Sequence, residues 1–191
     1  MTAPQTVLLL ALGGGLMYAF RSPIRDRLSP TRRALRRAEG GDTEAALAAL
    51  ERLRERKPRS AAALGALGQV RLLARQPQEA EAVLRQALEL GSNDPLHLAA
   101  LGWALVEQGR LDEALAFAAR AHAMPHEDFG VHCLYCGLMA HQGRGAEVVP
   151  LFDFLKRRAL QVLMQTPRVY DRGLGDQFDF AKQEMSRAGF A

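Results

Sequence analysis

Cysteine is scarce in this chain, two residues in 191, which excludes a small secreted scaffold held together by disulfides. Aromatic residues are scarce as well, 6% with a single Trp, so a core has to be built from Ala and Leu. No stretch alternates β-branched or aromatic residues with polar ones, and nothing reads as a strand. The motifs G-x-S-x-G and H-E-x-x-H and the glycine-rich phosphate loop are missing, so no residue is assigned a catalytic role and an enzyme is not expected. What is abundant is Ala and Leu, the best helix formers, within a hydrophobic share of 48% that argues against disorder.

The net charge of +4 hides an uneven distribution. Residues 1–20 carry no charged side chain. Residues 21–37 carry Arg21, Arg25, Arg27, Arg32, Arg33, Arg36 and Arg37 against Asp26 alone. The remainder is slightly acidic. A nucleic-acid-binding domain would spread its basic surface over the fold, so no nucleic-acid partner is expected.

The uncharged run 3–20 spans roughly 27 Å as a helix, enough for the hydrocarbon core of a bilayer. A secretory signal peptide would place positive charge before the apolar run and small residues at a cleavage site. Here the Arg residues follow the run. By the positive-inside rule this predicts a single uncleaved span at the inner (cytoplasmic) membrane, N-terminus out and body in the cytoplasm. The seven Arg then face anionic lipid, each attracted by about 1 kcal/mol near the surface. Pro23 and Pro30 punctuate a basic linker over 21–30.

Beyond the linker the sequence repeats. The 34 residues from Ala61 and the 34 from Pro95 align without gaps. Both carry Leu-Gly (Leu67-Gly68, Leu101-Gly102), then Glu-Ala (Glu79-Ala80, Glu113-Ala114), then Ala (Ala87, Ala121). This pattern resembles the tetratricopeptide repeat. The turn glycine is present at Gly109 and replaced by Arg75. The aromatic position holds Leu84 and Ala118, which predicts thinner packing there. A unit at about 26–59 keeps the pattern in its second half, with Gly40 as its turn. A fourth at about 129–163 keeps Gly143 but has Pro150 early in its second helix, which is expected to begin near Val148. The expected fold is an all-α, helix-turn-helix solenoid over 31–165, preceded by a transmembrane helix over 1–20. A linker and a short helix follow over 166–191, with Phe178, Ala181 and Met185 as a weak apolar stripe; capping of the array is the preferred reading, a free tail that docks a partner the alternative. Leu64, Leu67, Leu84, Leu88, Leu98, Leu101, Leu105 and Leu115 are the expected core, and Gly68, Ala80, Gly102 and Ala114 the close helix crossings.

The resemblance implies a protein-binding module whose first helices line a concave groove. By register that groove receives Gln69, Leu72 and Leu73 from one unit, Trp103, Val106 and Glu107 from the next, and Cys133 and His141 from the fourth. The Lys, Arg and Asn that make a chaperone-tail clamp in some relatives are absent at these places, so the groove should take an apolar peptide or amphipathic helix. The expected role is a scaffold, assembly factor or accessory subunit of a membrane complex, with no cofactor. One alternative is a periplasmic or secreted repeat protein released by signal cleavage. Another is a small metal or thiol regulator using Cys133 and Cys136. That C-x-x-C lacks the second pair or the spaced histidines of a zinc site, and His132 and His141 sit awkwardly for it. The reading preferred is that Cys136 packs as a small residue and Cys133 lines the groove.

Overall fold

Four residues in the left-handed backbone region set the period of the molecule: Gly41 (φ 97°), Arg75 (φ 59°), Gly109 (φ 76°) and Gly143 (φ 74°). They stand 34 residues apart, and each turns a first helix into a second. Arg75 is the only non-glycine among the described residues to hold this conformation. The turn of the first unit is therefore Gly41, not Gly40, whose φ is −73°. The structure, a computed structural model, describes residues 29–165 and 175–190. The segment read as an anchor, with Arg21, Arg25 and Arg27, lies outside them. Among the described residues no helix is long and apolar enough to cross a membrane.

Nine helices and no strand are described. The units comprise α1 (Pro30–Glu39) with α2 (Thr43–Arg56), α3 (Ala61–Leu73) with α4 (Pro77–Glu89), and α5 (Pro95–Glu107) with α6 (Leu111–His122). The last pairs α7 (Phe129–His141) with α8 (Val149–Gln165), and α9 (Gly175–Arg187) follows. The start signals repeat as the turns do. Ser60, Asp94 and Asp128, again 34 apart, cap α3, α5 and α7 by accepting from the backbone N–H of Ala63, Leu96 and Val131 at 3.3, 2.9 and 3.0 Å. The fourth unit breaks the pattern where Pro150 demands it. A continuous helix from residue 145 would put Pro150 beyond the first turn, where its ring meets a carbonyl and its missing N–H costs a bond. A 3-10 turn at Gly145–Val148 intervenes, and α8 starts afresh with Pro150 in its first turn.

Leu64, Leu67, Leu84, Leu98, Leu101 and Leu105 are buried, and Leu88 and Leu115 pack against them half-buried. Ala80 and Ala114 are fully enclosed. The small residues earn their place by distance. A Cβ on Gly68 would lie 2.4 Å from Leu84 Cγ, and one on Gly102 would lie 2.7 Å from Leu134 Cδ2.

The expected thinning at the aromatic position does not occur, because the volume is traded between helices. In the second unit Leu84 of α4 fills the space over Gly68. In the third, its counterpart Ala118 is too short, and Leu134 of α7 reaches back over Gly102 instead. The counterpart of Leu134 one unit earlier is Ala100. Large and small residues thus exchange sides while the space stays filled, and Ala118 is fully buried.

Helix α9 buries Phe178, Ala181 and Met185 in one cluster with Cys136, Met139, Phe152 and Leu155 of α7 and α8.

Candidate interaction groove

The first helices α3, α5 and α7 lie side by side, each touching the next. The 34-residue register puts Gln69, Trp103 and Gly137 in one row across them. Leu72, Val106 and Ala140 form a second row, and Leu73, Glu107 and His141 a third. Over α3 and α5 these rows are partly open. Gln69, Leu72, Trp103 and Val106 are half-buried, and Leu73 is 42% exposed.

Over α7 the same rows are covered by α9. Gly137 occupies the place of Trp103, and a Cβ there would sit 2.4 Å from the Phe180 ring, so the missing side chain admits α9. The same Phe180 ring packs edge to face with Trp103, centroids 5.3 Å apart. His141 Nδ1 lies 3.0 Å from Oε2 of the buried Glu184, which also pairs with Arg187. At the near end Arg75 bridges Glu107 at 3.2 Å and Asp176 at 3.1 Å. Helix α9 therefore lies along the first-helix face itself and forms one wall of the groove, with Trp103 at its foot.

Cys133 does not line this groove. It shares its register position with Gly65 and Ala99, both buried between helices, and is itself fully buried, as is Cys136. Burial pushes both thiols up, Cys136 to about 12 and Cys133 further, so neither is a thiolate at neutral pH. Of the basic cluster, Arg32, Arg33, Arg36 and Arg37 share the exposed side of α1, opposite buried Ala34 and Ala38. Arg37 pairs with Asp42 at 3.3 Å.

One cluster has no counterpart in the sequence reading. His122 at the end of α6, His126 in the following loop and His132 in α7 bring one ring nitrogen each to within 4.8 Å of one another. His122 stacks on Tyr135 at 4.3 Å, and its Nδ1 lies 3.1 Å from Nδ1 of His132. Burial and the neighbouring rings hold His122 below its usual range and bring His132 down to about 4, so both are neutral at pH 7. The available signal was compositional: three of the five His fall within eleven residues.

A tetratricopeptide repeat model matches residues 31–95 and 74–127, together half of the chain. No curated protein matches. Among solved structures, YrrB, described as a TPR protein with an unusual peptide-binding site, is 19% identical with a TM-score of 0.52, over 90% of this chain and 89% of its own. MamA is 17% identical with a TM-score of 0.54, over 80% and 90%. The Podosopora anserina putative kinesin light chain repeats give 18% and 0.52, over 86% and 94%. At these identities the likeness is one of fold.

Proposed function

Because the chain belongs to the tetratricopeptide repeat family, we propose that it is a membrane-anchored interaction scaffold, an assembly factor or accessory subunit that holds a partner's apolar or amphipathic segment on its first-helix face. Proteins of this family bind peptide or protein partners. The observation that carries the finer reading is the apolar strip Leu72, Leu73, Trp103 and Val106, left partly open beside a helix already seated on the same face. Trp103 holds the Phe180 ring of that helix edge-on, which is the contact an incoming helix would extend. The role proposed is binding rather than catalysis.

The anchor part of the proposal rests on the uncharged run 3–20 and the Arg residues after it. It places the span in the inner membrane and the repeats in the cytoplasm. The exposed Arg32, Arg33, Arg36 and Arg37 extend that basic surface onto the first repeat, towards anionic lipid.

The test is extraction followed by capture. The full chain should stay in the membrane pellet through an alkaline carbonate wash and leave it when residues 1–20 are deleted. After detergent extraction it should retain a specific protein partner in stoichiometric amount. Recovery of a mature chain beginning near residue 20, or release by carbonate, contradicts the anchor. Absence of any stoichiometric partner contradicts the scaffold.

A further inference from the structure

We propose that His122, His126 and His132 form a binding site for a divalent transition-metal ion of the zinc type, joining the third repeat to the fourth. The site lies apart from the groove and stands independently of its role. Three observations point to it.

The first is geometric. Imidazole nitrogens about 2.0–2.1 Å from a tetrahedral zinc lie roughly 3.3 Å from each other. The His122 and His132 Nδ1 atoms are 3.1 Å apart, and the three rings can each bring one nitrogen to within 4.8 Å of the others. His122 and His132 belong to helices already packed together, and the Tyr135 ring stacked on His122 fixes its plane. His126 sits in the loop between α6 and α7, where it can adjust to an ion held between the other two rings.

The second is an unpartnered nitrogen. Nδ1 of His126 accepts the Asp128 backbone N–H at 3.1 Å, which leaves the ring proton on Nε2. That Nε2 is buried and meets no acceptor, an arrangement that is unfavourable where nothing compensates it. Coordination through Nε2 moves the ring proton to Nδ1, turns the ring away from the Asp128 N–H and gives the buried nitrogen a partner.

The third is access and charge. His126 borders an open cleft lined also by Arg32, Asp94, Pro125, Glu127 and Asp128. Three carboxylates against one guanidinium favour a cation at its mouth, and solvent there can supply the fourth ligand. Three imidazoles without thiolate suit zinc, copper, nickel or cobalt rather than calcium or magnesium.

The test uses the full chain in detergent, stripped with chelator and titrated with Zn²⁺ by calorimetry. One ion per chain should bind with Kd on the order of micromolar or tighter, and the melting temperature should rise with it. His126→Ala, a loop change that leaves the helices intact, should weaken binding about tenfold or more, and His132→Gln likewise. The double variant Cys133→Ser, Cys136→Ser should bind as the unaltered chain does. Co²⁺ should give visible bands without a thiolate charge-transfer band in the near ultraviolet. No binding at micromolar zinc, affinity unchanged in His126→Ala, or a thiolate band would overturn the site. In the first case the His122–His132 contact is a hydrogen bond between neutral rings and nothing more.

Discussion

Replacing Leu134 by alanine is expected to lower stability by about 2–5 kcal/mol, the cost of emptying a fully enclosed leucine site. Leu134 is 0% exposed, and its Cδ2 fills the space over Gly102 where three helices meet. Those helices are α5, α6 and α7, so the loss falls on the joint between the third and fourth repeats. The size exchange makes the prediction sharper. In the second repeat the equivalent space is filled from the other side, by Leu84 at the position that Ala118 holds in the third. Ala118→Leu alone should overpack the joint and cost about 1–3 kcal/mol. Combined with Leu134→Ala it should place a leucine where the second repeat already has one. The double variant is then more stable than Leu134→Ala alone. Urea unfolding of the four chains completes the cycle, and simple additivity would contradict the account of how the repeats interlock.

Replacing Trp103 by alanine is expected to weaken partner binding about 30-fold or more, some 2 kcal/mol. Tryptophan presents the largest apolar area of any side chain with few rotors, which is why it dominates binding surfaces. Trp103 is half-buried at the foot of the α9 wall, between the open strip on α3 and the covered strip on α7. Its removal should leave the fold intact, since Leu98, Leu101 and Leu105 carry the core of α5. The lost Phe180 contact costs about 0.5–1.5 kcal/mol, visible as a small fall in the melting temperature. Trp103→Phe should restore part of the affinity by keeping a ring against Phe180. Quantitative binding of the captured partner, measured beside circular dichroism, separates the two effects. Full affinity in a normally helical Trp103→Ala chain would remove Trp103 from the site.

The repeat was legible in the sequence because its signals are local. Leu-Gly, Glu-Ala and the turn residues recur at a fixed spacing, and helix propensity agrees with them at every step. Even the first turn was within reach: two periods back from Gly109 is residue 41, not 40, and only the neighbouring glycine obscured it. What was not legible depends on contacts between distant segments. The trade of volume between Ala118 and Leu134 needs two repeats placed in space. The path of α9 over Gly137 and Trp103 depends on which face of α7 is left free, and a stripe of Phe178, Ala181 and Met185 fits several answers. Cys133 lies in the core and not in the groove, a distinction that composition does not make because α7 is apolar on most of its faces. The histidine cluster is not legible because His122 ends α6, His126 lies in the loop and His132 is in α7, with no ligand spacing that marks the three as one site.

The central claim is that the face built by the first helices, not the outer face built by the second, holds the partner. Site-specific photo-cross-linking in intact membranes tests it most directly, with the reactive residue in place of exposed Leu73 on α3 or of Arg120 on the exposed side of α6. The account predicts a single discrete cross-linked partner from position 73, lost when Trp103→Ala is added, and none from position 120. A partner caught from position 120 and not from position 73 would contradict it.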